Sequence, residues 1–415
     1  MKALKHESKN SYMYRPKGVY MDVKPLHKRI ATRLEQINKF IFLRLIGKLL
    51  RVHPLKRKLQ LSEISSVLFI RYDAFGDMIV TTPLWRILKR LKPSIRIGVA
   101  GSIKNLGVLG SDTDVDILYD YSASSFKDFF RITKKTRKEK WDLVIMCKFN
   151  QKTRGGIISR LSTKDGYNVI VGTENAIGHQ ALFSRLIPLP KPQHEMQMTE
   201  QLQYLLHSVI DLPDIPTERP SVMIDPLIEK DTKVKIDAVL SIDGCNKYIV
   251  INTDAPEVRR WGIANNISLA KYIETEFPEY SIMIVSLPEN QKTIEEEIPS
   301  ARLLRTHYFP TENVQYLFSI IRHCALVITP DTGIAHLASA EAKPILGFYP
   351  EAGEWLPFKI PTYIILPKYG DLISSIPLDL AKEGLLVLLS ELSNGTLTGM
   401  RFIHCDNPSE VKIRK

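Results

Sequence analysis

The chain has 415 residues, 44% of them hydrophobic. It is too long for one ordinary domain and too apolar for a disordered or low-complexity protein. The formal net charge of +12 is local: residues 1–60 hold 16 Lys/Arg against 3 Asp/Glu, and the remaining residues hold 41 against 42. A uniformly basic body that would bind nucleic acid is therefore not expected.

Residues 1–25 are polar and basic, without periodicity, and read as a loose arm. In residues 26–52, Ile30, Leu34, Ile37, Ile41, Leu45 and Leu49 recur at spacings of three and four, interleaved with Arg33, Lys39, Arg44, Lys48 and Arg51. That is a cationic amphipathic helix. It suits an anionic membrane surface, through residues 26–58, or a seat on the body with its lysines solvated. Residues 66–71 form a short apolar run that predicts a buried parallel strand, followed by a turn at 72–77 and a helix over 78–91. Further strands are expected at 94–100, 141–146 and 168–172. Four prolines in residues 211–230 mark an inter-lobe connection, with a helix over 227–241. The alternation then restarts: strands at 247–252, 280–285, 324–329 and 344–348, and helices at 268–276, 314–323 and 332–341. Strands alternating with helices predict two successive α/β, Rossmann-like lobes, with ligands at the carboxyl ends of the strands. The expected domains are a basic arm and amphipathic helix (1–60), a first Rossmann-like lobe (62–225), a second (226–390) and a tail (391–415).

Two segments have the chemistry for a site. In Thr329-Pro330-Asp331-Thr332-Gly333-Ile334-Ala335-His336 a strand runs into a helix start. Gly333 permits close backbone approach, and the unpaired amides favour an anion such as a diphosphate. In Arg71-Tyr72-Asp73-Ala74-Phe75-Gly76-Asp77, a carboxylate follows a glycine at the mouth of the first lobe, where a general base would stand. Taken singly, Asp331 or Thr332 could equally be a helix cap, and Asp77 reads first as a cap and Asp73 as a turn residue. Neither GxGxxG nor GxxxxGK[ST] occurs. Asp112-Thr113-Asp114 imitates a DxD metal motif, but solvated acids leading into a strand are the simpler reading, and no metal is expected. Cys147, Cys245, Cys324 and Cys405 lie far apart without a CxxC pair, as reduced thiols would. No leader-like run opens the chain, and no stretch approaches the ~18–20 apolar residues of a membrane span. The expected location is cytoplasmic.

Together these segments resemble glycosyltransferase family 9, the bacterial heptosyltransferases of lipopolysaccharide core synthesis. The family's R-x-x-x-x-G-D followed by T-x-P is matched by Arg71, Gly76, Asp77, Thr81 or Thr82, and Pro83. Its T-x-D-T-G-x-x-H-L is matched by Thr329, Asp331, Thr332, Gly333, His336 and Leu337. Arg259-Arg260-Trp261 matches a basic pair before tryptophan. The resemblance covers about residues 66–385. It implies the GT-B fold, two lobes facing a central cleft, and an inverting transfer of heptose from ADP-heptose without a required metal or cofactor. The implied acceptor is a lipid-linked core oligosaccharide at the cytoplasmic face of the inner membrane. By position, Asp77 is the candidate base. Arg259, Asp331, Thr332, Gly333 and His336 would hold the donor, and Arg71 and Gly76 belong to the acceptor-side turn. Two departures stand out: Arg259 replaces the family's usual lysine, and Thr253-Asp254-Ala255-Pro256-Glu257 replaces a Gly- or Ser-rich stretch. A transferase using another nucleotide sugar, or a non-catalytic nucleotide-sugar-binding protein at the membrane, are the alternative readings.

Overall fold

The computed structural model describes residues 26–121, 126–149, 153–172, 179–190, 196–311 and 313–414. The arm expected over residues 1–25 lies outside them. Helix α1 (Leu26–Leu49) leads through the short strand β1 (Leu59–Gln60) into the first lobe. There β2 (Ser66–Ile70), β3 (Arg96–Gly101), β4 (Ile117–Asp120), β5 (Trp141–Met146), β6 (Thr163–Gly172) and β7 (Arg185–Pro188) form a parallel sheet ordered β4-β3-β2-β5-β6-β7. Its helices are α2 (Phe75–Ile79), α3 (Pro83–Leu91), α4 (Phe126–Lys138), α5 (Thr153–Ser162) and α6 (Met198–Val209). Strand β8 (Ile210–Asp211) then pairs with β1.

The second lobe follows with α7 (Pro226–Asp243), β9 (Lys247–Asn252), α8 (Ile263–Glu276), β10 (Tyr280–Val285), α9 (Pro288–Ser300), β11 (Thr306–Tyr308), α10 (Val314–His323), β12 (Leu326–Pro330), α11 (Gly333–Ala340), β13 (Ile345–Phe348), β14 (Thr362–Leu366), α12 (Leu378–Asn394), β15 (Met400–His404) and β16 (Asn407–Arg414). Its sheet runs β11-β10-β9-β12-β13-β14-β15-β16, parallel except for β16. In each lobe the first and fourth strands, β2 with β5 and β9 with β12, are neighbours. The connections reverse direction there, opening a crevice at the strands' carboxyl ends.

Local chemistry accounts for these elements. Strand β2 is buried at every position, as a parallel strand covered by helices on both faces must be. Asp225 caps α7 by accepting the Leu227 N–H at 2.8 Å, Pro226 opens the helix, and Gly244 ends it with φ +67°. Apolar packing continues from one lobe to the other, with Phe75 against Phe318 at 6.0 Å between ring centroids. On the far side, the Met198 N–H donates to the Glu354 carbonyl (2.7 Å) and Gln197 Nε2 to the Pro357 carbonyl (2.6 Å).

Three expectations need correction. The helix expected over 78–91 is two helices, because the chain turns at Thr81-Thr82 and Pro83, lacking an N–H, starts α3 afresh. Asp77 therefore lies inside the first turn of α2. Residues 391–415 do not form a separate tail: α12 continues to Asn394, and β15 and β16 extend the second sheet. Asp112 is not a solvated acid. It is buried, binds Arg86 through both oxygens (2.6 and 2.8 Å) and accepts from Trp85 Nε1 at 3.2 Å. Asp114 takes the same guanidinium at 2.5 Å.

Burial pushes the Cys147 and Cys324 thiols up to about 12. Native protein at mildly alkaline pH should accordingly react with a maleimide only at the partly exposed Cys245 and Cys405. Labelling of Cys147 before unfolding, read by peptide mass, would contradict this packing.

Candidate active site

The two crevices meet at a contact between backbones. Gly76, in the first turn of α2, lies so close to Gly333, in the first turn of α11, that a Cβ on Gly76 would stand 2.7 Å from Gly333 Cα and 2.8 Å from His336 Cδ2. A Cβ on Gly333 would stand 2.6 Å from Phe75 Cδ1 and 2.9 Å from the Gly76 nitrogen. No side chain fits at either position, so the two motif segments face each other across the seam.

On the first-lobe lip, Asp77 Oδ1 accepts from Arg71 Nη2 at 2.5 Å and Oδ2 accepts the Ala74 N–H at 2.8 Å. The cap and the candidate base are thus the same group. Each carboxylate oxygen keeps a lone pair for a further donor. Arg71 is buried. It also donates to the Cys147 carbonyl and pairs with Asp73 at 3.2 Å, and Asp73 in turn meets Lys148 at 3.1 Å. The carboxylates of Asp77 and Asp73 raise the Arg71 pKa against the opposing pull of its burial, the largest influence on it.

On the second-lobe lip, Thr332 does cap α11, accepting the Ile334 N–H at 3.3 Å. Asp331 does not cap; it pairs with Arg259 at 2.8 Å. Arg259 therefore stands at the crevice already held by a carboxylate. His336 is buried one turn into α11, and burial lowers its pKa, while Asp331 and Asp77 pull it the other way. Trp261 is a core residue: it stacks on Phe348 at 4.2 Å and donates to the Ile376 carbonyl at 3.0 Å.

A cavity of 750 Å³ opens beside these groups, within the range of small-molecule sites. Asn252, Arg259, Arg260, Thr332 and Gly333 line it from the second lobe, and Phe75 and Lys104 from the first. Asp254 lines it too, but its carboxylate is turned onto the start of α9, accepting from the Leu287 N–H and Asn290 Nδ2; burial raises its pKa. Glu257 is exposed outside the cavity lining. Glu289, at the start of α9, also lines the cavity, so acids at 254 and 289 stand there with the cations Lys104, Arg259 and Arg260.

Two residues at the site escaped the motif reading. Asn252 ends β9 and donates to Thr329 Oγ1 (3.0 Å), Thr332 Oγ1 (3.2 Å) and the Asp254 carbonyl (3.0 Å). Its place at a strand's carboxyl end was the available signal. Trp355 arrives from the loop after β13, 6.0 Å from the His336 ring and 5.9 Å from the Arg71 guanidinium; nothing in its local sequence marks it.

A family model, glycosyltransferase family 9 (heptosyltransferase), matches residues 129–355, more than half of the chain. The chain belongs to glycosyltransferase family 9. It is accordingly a glycosyltransferase. Solved structures agree on its fold. A family 9 glycosyl transferase from Veillonella parvula DSM 2008 superposes with a TM-score of 0.64 at 15% identity, covering 79% of this chain and 97% of that one. The E. coli ADP-heptose lps heptosyltransferase II gives 0.62 at 17% identity, with 79% and 99% covered. The E. coli heptosyltransferase WaaC with ADP gives 0.58 at 14% identity, with 80% and 99% covered. These are two-lobed GT-B enzymes, and this transferase shares their architecture.

Two measurements test this geometry. Gly76→Ala and Gly333→Ala should each lower stability by about 1–3 kcal/mol, because backbone and ring atoms must move aside. Unchanged denaturant midpoints would mean the lobes do not touch there. For His336, the unfolded chain binds a proton between the lowered pKa and the ordinary 6.5 that the folded chain does not. Stability should therefore fall as pH drops below 6.5, and fall less in His336→Gln; equal slopes would mean that the ring titrates normally.

Proposed function

We propose that this glycosyltransferase moves a heptose from ADP-heptose, with inversion, to a lipopolysaccharide or lipooligosaccharide core acceptor at the cytoplasmic face of the inner membrane. One observation carries the reading: Asp77 and the Arg259–Asp331 pair lie on opposite lips of one seam closed by Gly76 and Gly333. Direct displacement at an anomeric carbon needs a base on the acceptor hydroxyl and positive charge on the leaving diphosphate. Asp77 supplies the first. Arg259, swinging from Asp331 to the phosphates, and the amides at the start of α11 supply the second. Thr332, Gly333 and His336 complete the donor side, and a neutral imidazole at His336 can accept a sugar hydroxyl without repelling Arg259. Arg71 fixes the Asp77 carboxylate, and Gly76 lets the acceptor turn reach the donor. No step in this reading requires a metal or a cofactor.

Support for the donor comes from two of the similar structures, which are an ADP-heptose lps heptosyltransferase and a heptosyltransferase with ADP. Support for the location comes from the segment 26–58, where the exposed cations and apolar side chains of residues 37–58 suit an anionic membrane surface. Among the described residues no helix is long and apolar enough to cross a membrane.

Incubation with ADP-heptose and a lipid A–Kdo acceptor should give the mass of a heptose adduct. Asp77→Asn should lower the turnover rate by about a hundredfold or more while leaving donor binding unchanged. Full activity in that variant would end the base assignment. Arg259→Ala should weaken the donor by about tenfold or more. A melting-point rise with UDP- or GDP-sugars but not ADP-sugars would reassign the donor.

A further inference from the structure

We infer that the flank of the first lobe between α1 and α4 is a two-point docking face for an anionic lipid bilayer, with a basic pocket between the helices that takes lipid phosphate. This rests on the membrane contact proposed above and extends it from one helix to a surface that includes α4.

The first point is α1. Leu43 is fully buried, and Gly47 lies against the Ala181 carbonyl so closely that no side chain would fit. That seats one face of the helix on the lobe. The opposite face projects Ile37, Ile41, Phe42, Leu45 and Leu49, with Leu49 81% exposed. Between α1 and residues 180–183 runs a groove of 860 Å³ in which Arg44, Lys48 and Arg51 stand among the apolar side chains. The second point is α4. Phe130 is 67% exposed, and it lines a shallow depression of 520 Å³ with Lys134, Arg137, Lys138 and Leu161.

The pocket lies between them. It measures 470 Å³ and holds Arg51, His53, Arg137, Lys140 and Arg160 against Asp165. Arg51 belongs to both the groove and the pocket, while Arg137 and Leu161 belong to both the pocket and the α4 depression. The three are therefore one continuous band. Arg160 is occupied by the carbonyls of Leu50 and Arg51. Among the described residues, no ion pair engages Arg51, His53, Arg137 or Lys140. Arg51 and Lys140 hold left-handed backbone, φ 48° and 51°, where glycine would be the easier residue.

Charge and apolarity together select the occupant. Residues 37–58 contain no acidic residue. The two acids at α4, Asp128 and Glu139, pair with Arg131 at 2.8 Å and Arg96 at 2.6 Å. Cations alone would suit nucleic acid, but projecting leucine, isoleucine and phenylalanine side chains suit acyl chains, and cations between them suit the phosphate layer above. The face also ends where an acceptor would arrive. Leu43 packs with Met146 and Ile170 near the carboxyl ends of β5 and β6, and Tyr72, beside Arg71, joins the same cluster. The pocket lies near the amino ends of those strands. Between Leu43 and Leu49, α1 thus runs from the carboxyl ends of β5 and β6 toward their amino ends.

The test uses the full chain in vesicle sedimentation. Wild type should bind phosphatidylcholine vesicles containing phosphatidylglycerol and not phosphatidylcholine alone. Arg137→Glu with Lys140→Glu, which leaves α1 intact, should weaken binding by about tenfold or more, as should Leu45→Ser with Leu49→Ser. Circular dichroism checks that both variants are folded. Both should transfer sugar to a delipidated, soluble acceptor at the wild-type rate. Equal binding to the two vesicle types, or unchanged binding by the Arg137/Lys140 variant, would overturn the inference. No transfer by wild type, with anionic-vesicle binding retained, would sink the functional reading and leave the docking face supported.

Discussion

Two peptide backbones meet at Gly76 and Gly333, and the chemistry of the cleft depends on how close they come. An alanine at either position would hold the first turns of α2 and α11 apart, because the atoms it would meet are backbone and ring atoms rather than flexible side-chain ends. The same contact sets Asp77 near His336, where its carboxylate opposes the lowering of the His336 pKa by burial. A nearer approach than side chains permit is what brings one lobe's acid and the other lobe's cation to a single seam.

The electrostatics around that contact are cross-braced. Arg71 is buried and would be unstable alone, but Asp73, Asp77 and the Cys147 carbonyl share its charge. Arg259 and Asp331 restrain each other on the opposite lip, so a positive group is stored beside the cavity without being wholly uncompensated. Asp254, which by sequence position would repel a diphosphate, spends its acceptor capacity on the start of α9. An acid's position in the chain does not fix its influence; the direction of its oxygens does.

Most of the plan was legible in the sequence. Runs such as Lys247–Asn252, Tyr280–Val285 and Trp141–Met146 are short, apolar and cleanly bounded, and they appear as strands with those limits. Thr332 and Asp77 each make a capping bond and also lie at the seam between the lobes, so the two readings do not exclude each other. The break between α2 and α3 was misjudged because an apolar pattern continues across Thr81-Thr82-Pro83, whereas the backbone follows the proline. The strands of residues 400–414 were missed because Met400–His404 alternates weakly and pairs only with β14 and β16, neither of which was read as a strand. Trp355 was illegible for a different reason: its meaning arises only when a loop of one lobe reaches an arginine of the other.

The seating of α1 has a mechanical corollary. Gly47 on Ala181, the Arg160 bonds to Leu50 and Arg51, and the Leu55 N–H to the Ser184 carbonyl all tie the N-terminal extension to the first lobe. Whatever holds that extension therefore holds the first lobe with it. The second lobe is joined to the first at the Gly76–Gly333 seam and by the bonds from the start of α6 to residues 354–357. To part the lobes, both sets of contacts must break, and neither can be lost alone without leaving the other to hold them together.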